Sequence, residues 1–345
     1  MTNTYPANPV AVEVTRGPAN QASWVESRHR VACAVVAASG SIVHQWGDVE
    51  EAIFPRSAIK PLQVLPLLES GAADAWGLGA AEISLACASH NSEPRHLEAV
   101  HDVLGRAGLT EDALECGPQI STNLPIREAL VREGAQPSRI RNNCSGKHMG
   151  FLATAAHVGD DPAGYVGRDH PVQQRVLQAI SEMCEIDLSD APWGLDGCSI
   201  PAFALPLQNL AHGMARLAKP EGLGPTREAA CDRVVQSIAA EPFMIAGTGR
   251  FCTAIIEALK GKAVVKTGAE GVMMAALPGR GFGIALKVDD GADRANGVAL
   301  AAVLRFLGVL DDATAETIRD YLAIPITDRN GNRVGEVRPA ADWPA

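Results

Sequence analysis

The stretch AVVKTGAEGVMMAALPGRGFGIALKV, residues 263–288, decides the fold. Three β-rich runs fill it: Ala263–Thr267, Gly271–Leu277 and Gly281–Val288. Gly268 stands in the first gap and Pro278-Gly279 in the second, which is the punctuation of successive short strands. The other end of the chain carries the same signal. RVACAVVA (30–37) is followed by the turn Ala38-Ser39-Gly40-Ser41 and a returning strand, Ile42–Trp46, and Ala11–Thr15 reads as a further strand. Between these ends the pattern is helical. Pro94–Leu109, Ser145–His157, Val172–Ile186, Thr226–Ala240 and Thr253–Leu259 repeat apolar residues at spacings of three and four. Ser92 is a candidate cap for the first of these helices, and Pro66 predicts a kink in a helix entered near Ser57. A last helix is expected over Arg294–Leu310. Strands at both ends with helices between predict an α+β fold: one antiparallel sheet built from both chain ends, flanked by helices, with an inserted helical lobe. The expected division is 10–60 with 255–345 for the sheet-containing lobe and 61–254 for the helical one. The active site is expected at the seam.

Bulk properties narrow the function classes. The 345 residues suffice for a large core, and 47% hydrophobic with 20% charged residues is an ordinary globular composition. With 30 basic against 40 acidic residues the net charge is −10, which argues against a nucleic-acid partner. No apolar run is long enough to span a membrane, and Met1–Pro6 lacks the basic-then-apolar pattern of a secretory leader. The eight cysteines are scattered without a C-x-x-C pair, so reduced thiols and a cytoplasmic location are expected.

Three short strings carry chemistry in a fixed order. Ser57-Ala58-Ile59-Lys60 reads S-x-x-K, Ser89-His90-Asn91 reads S-x-N, and Lys266-Thr267-Gly268 reads K-T-G. Together they are the three elements of the Ser-Lys acyl transferases. Serine and lysine at i and i+3 share a helix face, where a neutral amine can take a hydroxyl proton. A second lysine from a distant strand would keep the first one neutral, so Lys60 is expected to be the neutral member and Ser57 its partner. Each string also has a plain reading: Ser57 as a helix cap, Ser89-His90-Asn91 as a capping loop, Lys266-Thr267-Gly268 as a strand ending in a turn. A second constellation joins Asn142-Asn143-Cys144-Ser145-Gly146-Lys147 to Asp196-Gly197-Cys198-Ser199. Cys144 at a helix N-terminus with Lys147 one turn on would have a lowered thiol pKa, while the plain reading is two buried structural thiols. Gly247-Thr248-Gly249-Arg250 lacks the G-K-[ST] of a phosphate loop and reads as a backbone turn.

Taken together, PRSAIKPLQ (55–63), ASHNSEPRH (88–96), NNCSGKHMGFLA (142–153), DGCSIPAFALPL (196–207) and KTGAEG (266–271) resemble the class 3, rhizobial-type L-asparaginases, the asparaginase II family. The resemblance spans roughly residues 10 to 340. It implies a fold similar to the serine β-lactamases and glutaminases, and hydrolysis of the side-chain amide of L-asparagine to L-aspartate and ammonia. It further implies two tandems, Ser57 with Lys60 and Ser89 with Lys266. A metal ion, usually zinc, would be held by Cys144, Lys147 and Cys198, and the assembly would be a homodimer. Arg56 is the candidate for the substrate α-carboxylate, with His90, Asn91 and Asp196 completing the polar pocket. Two other readings stay open: another Ser-Lys acyl transferase such as a glutaminase or β-lactamase relative, and an inactive zinc-binding relative. S-H-N stands here where β-lactamases carry S-D-N.

Overall fold

The computed structural model describes residues 7–18 and 24–344. Met1–Pro6, the stretch read for a leader, lies outside the described residues. Eight strands form one antiparallel sheet. Its order runs Ile324–Thr327, Arg333–Pro339, Val10–Arg16, Trp24–Ala37, Phe282–Val288, Val272–Leu277, Val264–Thr267, with Ile42–Trp46 also paired to Trp24–Ala37. The sheet is therefore built from both chain ends, and K-T-G closes its last strand.

The strand Trp24–Ala37 is the spine. Its second half pairs Val31 through Ala37 with Val288 through Phe282, and its first half pairs with Val10–Arg16. The sequence signal begins only at Arg30. Upstream, Trp24, Glu26, Arg28 and Arg30 face solvent on alternate positions, so the strand is half polar there. The C-terminal pair Ile324–Thr327 and Arg333–Pro339 escaped for the same reason. Its side chains are mostly half-buried or exposed, and no apolar run marks it.

Two helices cover the sheet on opposite faces. Leu207–Ala218 packs over Gly283, where an added Cβ would stand 2.0 Å from the Ala211 carbonyl oxygen. Only glycine permits that approach. Asp293–Phe306 takes the other face: Phe306 packs edge-on to Trp46, which pairs with Cys33, opposite Leu286. Leu286 and Gly283 are three residues apart on one strand, so they point to opposite faces. Leu207–Ala218 lies inside the stretch 61–254 yet rests on the sheet, and the buried apolar side chains form one continuous cluster through both regions.

The other helices follow the apolar spacing within a few residues: Pro94–Arg106, Ser145–Val158, Pro171–Cys184, Pro225–Ala240 and Phe251–Leu259. Pro66 acts as expected. The chain splits into Lys60–Gln63 and Leu65–Glu69, joined at Val64. Ser92 does not cap Pro94–Arg106. The cap position belongs to Glu93, whose N–H is held by His96 Nδ1, and Ser92 Oγ donates to Arg141 O. Among the described residues no helix is long and apolar enough to cross a membrane.

Candidate active site

Three chain segments meet at one hydroxyl. The first is the turn Arg56–Ile59, a 3-10 helix leading into Lys60–Gln63. The second is Ser89-His90-Asn91, which leaves the helix Ala80–Ala86 and is clamped between two other segments. Ser89 N and Asn91 N donate to Ile245 O and Ala246 O, and His90 N donates to Asn143 O, at 3.0, 3.0 and 3.1 Å. The third is the edge strand Val264–Thr267. Gly268 lets that strand end touch the first segment. A Cβ there would meet Pro55 O at 2.7 Å and Ala58 N at 3.0 Å. The last residue of K-T-G thus fixes Lys266 beside the turn carrying Ser57.

Both lysines reach Ser89. Lys60 Nζ donates to Ser89 Oγ at 3.0 Å, to Ala88 O at 2.5 Å and to Cys144 Sγ at 3.1 Å. Lys266 Nζ lies 2.9 Å from Ser89 Oγ and donates to Thr267 O at 2.8 Å. Lys60 and Lys266 are 0% and 1% exposed, so neither amine can be satisfied by bulk water. An ammonium has three N–H donors, and Lys60 has three acceptors. Burial chiefly, then the positive charge of Lys60, pulls Lys266 down to about 7. Lys266 is thus the amine poised to be neutral, while Lys60 has an acceptor for each of its three donors. The amine of Lys60 is directed at Ser89, while Ser57 stands half-buried where two cavities meet.

One cavity, of about 400 Å³, is lined by both serines together with Arg250, Thr267, Asp293 and Asn296. The second, also of about 400 Å³, is lined by Ser57, Arg56, Asp196, Cys144 and Cys198. Thr267 belongs to the K-T-G string, whereas Arg250, Asp293 and Asn296 were not anticipated from the sequence as site residues. Arg250 belongs to the Gly-rich turn read only as backbone, and no local pattern marks it.

The softer substrate contacts are mostly committed to the protein. His90 is 0% exposed: its Nδ1 accepts from Ser92 N at 3.1 Å and its Nε2 lies 3.0 Å from Ser145 Oγ. Burial above all, then His96, Lys60 and Arg250, drives its pKa well below the usual histidine range, so it is a neutral packing group behind Ser89. Asn91 is also 0% exposed; it accepts from Arg250 Nη1 at 2.9 Å and donates to Thr248 O at 3.0 Å. Arg56 sends Nε and Nη2 to Asp196 Oδ1, at 3.0 and 2.8 Å. Burial works against the Asp196 carboxylate, but Lys147, Arg56 and the Gly197 N–H outweigh it and lower its pKa.

The metal candidates do come together. Lys147 Nζ donates to Cys198 Sγ at 3.0 Å, and the Cys198 thiol is hydrogen-bonded to Cys144. That bond is the main reason Cys144 falls well below the usual thiol pKa. Burial opposes it, and Lys60 and Lys147 assist. The same bond, together with burial, raises Cys198. Burial would lower Lys147, but Cys198, Cys144 and Asp196 raise it. Among the described residues no three His, Cys, Asp or Glu side chains are grouped to hold a metal ion. The set here is two sulfurs and one amine. Cys144 and Cys198 face one cavity and the Lys147 amine is bonded to Cys198, and two sulfurs with a nitrogen suit a thiophilic ion such as zinc. Sulfur and nitrogen ligands of a tetrahedral zinc stand about 3.5 Å apart, so the Lys147–Cys198 pair would open slightly to admit one.

Comparisons with known proteins bear on this arrangement. No curated protein sequence matches the chain. Among solved structures, Mglu in its native form is similar at 15% identity over 83% of this chain and 66% of that one, with a TM-score of 0.46. The chain thus spans just under two thirds of the Mglu chain's length. A beta-lactamase from Mycobacterium bovis is similar at 14% identity over 85% of this chain and 95% of that one, with a TM-score of 0.37. The simvastatin synthase of Aspergillus terreus, as a mutant, is similar at 11% identity over 75% and 86%, with a TM-score of 0.41. Residues 12–339 match the family described as L-asparaginase II. Every segment that converges on Ser89 lies within that stretch, and the chain belongs to the L-asparaginase II family.

Proposed function

We propose that this protein is an L-asparaginase that hydrolyses the side-chain amide of L-asparagine through Ser89, with Lys266 as its base. The single observation carrying the reading is that two buried lysines converge on the Ser89 hydroxyl, one bonded as an ammonium and one lowered to about 7. A serine hydroxyl is a weak nucleophile until a base takes its proton, and a neutral buried amine is such a base.

Neutral Lys266 accepts the Ser89 proton, and Ser89 Oγ bonds to the side-chain carbonyl carbon. The negative charge that develops on the carbonyl oxygen sits beside the positive field of Lys60. The C–N bond then breaks, and ammonia leaves with the proton that Lys266 returns. Water adds to the resulting ester by the same route, and L-aspartate and free Ser89 are regenerated. Ser57, where the two cavities meet, is the hydroxyl we assign to relaying a proton to the leaving group. Arg56 and Asp196 shape the second cavity as a fixed ion pair. His90 and Asn91 hold the Ser89 loop in register.

Cys144, Lys147 and Cys198 are the residues that would hold a zinc ion. When bound, such an ion supplies Lewis acidity and an anchor for substrate oxygen or nitrogen. Without the ion, Lys147 and Lys60 keep the Cys144 thiolate compensated. A homodimer in the cytoplasm completes the proposal.

Ammonia release from L-asparagine and from L-glutamine, each with and without a chelator, tests the reading. Asparagine turnover with little glutamine turnover is the predicted result. Glutamine as the better substrate would make the protein a glutaminase. No ammonia from either amide, with metal still bound by elemental analysis, would leave an inactive metal-binding relative.

A further inference from the structure

We propose that Arg250 is the group that recognises the substrate's α-carboxylate, and that Asn91 is the positioning residue that aims it. The inference rests on the asparaginase reading above and deepens it. Arg56 was the sequence's candidate for that carboxylate, but Asp196 already takes its Nε and Nη2 donors. A carboxylate arriving at Arg56 would have to displace one that is only 12% exposed.

Arg250 stands differently. It lines the same cavity as Ser89 and Ser57. Among the described residues its guanidinium has no carboxylate partner, and its side-chain hydrogen bond goes from Nη1 to Asn91 Oδ1 at 2.9 Å. An arginine fork with one corner held by a neutral amide keeps its remaining donors and its full charge. In a partly desolvated cavity that is a receptor for a planar carboxylate, gripped by two parallel hydrogen bonds.

The aim is rigid. Asn91 cannot swing away, because its Nδ2 is fixed on Thr248 O, its backbone N–H on Ala246 O, and its carbonyl accepts from Ser121 Oγ at 2.5 Å. The turn that carries Arg250 is fastened to the same loop. Thr248 N and Oγ1 both donate to the Glu93 carboxylate at 2.7 Å. Gly247, at φ 103, brings the backbone so close that a Cβ would stand 2.3 Å from Glu93 Oε1. Ser89–Glu93 and Gly247–Arg250 are therefore one frame. The nucleophile and the guanidinium keep a fixed separation, which is how a site selects an amide at a set distance from a carboxylate.

Steady-state ammonia release from L-asparagine by the wild type, R250Q, R250K, N91A and N91D tests this. R250Q should raise KM by about 10²-fold while kcat changes less than tenfold, because a contact made equally in ground and transition states is lost. R250K, which keeps the charge without the fork, should fall between R250Q and the wild type, and it covers the case in which R250Q fails to fold. N91A should raise KM more mildly. N91D is the decisive variant: an aspartate would hold Arg250 more tightly but neutralise it, so KM should rise beyond that of N91A. An unchanged KM in R250Q, or an N91D enzyme that binds asparagine as well as the wild type does, would overturn the assignment. A wild-type protein that releases ammonia from neither asparagine nor glutamine would overturn the asparaginase reading itself, and this inference with it.

Discussion

Lys60 and Lys266 are held differently because their partners differ. Lys60 faces a carbonyl, a hydroxyl and a thiol that the structure draws toward the thiolate, so its charge is compensated in place. Lys266 faces one carbonyl and the Ser89 hydroxyl, with Lys60 and Arg250 further lowering it and Cys252 and Cys144 partly opposing them. This makes a prediction of definite sign. The proposed base is the neutral form of Lys266, and its fraction grows as pH rises. Activity should therefore climb by about tenfold per pH unit below 7 and level off above it. A kcat/KM profile measured from pH 5 to 9 reads this directly; a profile that falls through 7 would contradict it. The lysines, the two serines and the metal-side thiols were legible as strings, because catalysis needs those residue types at those spacings. Their pairing was not. Which amine reaches which hydroxyl depends on where the strand Val264–Thr267 lies against the turn at Ser57, and no spacing records that. Arg250 was illegible for a plainer reason: one arginine after a Gly-rich turn has no signature until Asn91 is seen to hold it.

At the scale of elements, two close approaches set the geometry. Gly268 seats the edge strand on the Ser57 turn, and Gly283 seats the helix Leu207–Ala218 on the sheet. They should fail differently. G268A pushes on Pro55 O and Ala58 N, beside the chemistry, and a shift of a fraction of an ångström there should lower kcat/KM by about 10²-fold. G283A pushes a helix backbone off the centre of the sheet, and overpacking of that kind should cost about 3 kcal/mol of stability. Urea midpoints and steady-state rates on both variants separate the two effects. Stability loss alone in G268A would mean that the strand end does not position Lys266. Most strands of the sheet and most helices were readable, from β-rich runs and from apolar period. Leu207–Ala218 was not, because PAFALPL ahead of it reads as a continuous apolar run in which the switch from strand to helix at Pro206 is hidden. The polar half of Trp24–Ala37 escaped likewise.

The whole molecule is a device for bringing residues 57, 89 and 266 together from across the chain. Because the sheet takes strands from both ends, removing the C-terminal strands Ile324–Thr327 and Arg333–Pro339 should unfold the protein and not merely trim it, since Arg333–Pro339 pairs directly with Val10–Arg16. A cooperative thermal transition lost on truncation before residue 324 checks this, whereas an intact transition would contradict it. The group Cys144, Lys147 and Cys198, proposed to hold zinc, is a separable part of the same architecture. C198S should lower bound zinc, measured by elemental analysis, well below one ion per chain, because it removes one of two sulfur donors. Ser89, served by two lysines, is the proposed attacking residue. Ammonia release from L-asparagine by S89A and S57A at pH 8, with circular dichroism to verify folding, tests it most directly. S89A should lose at least about 10³-fold in turnover and S57A less. Near-normal turnover in S89A with abolished turnover in S57A would contradict it.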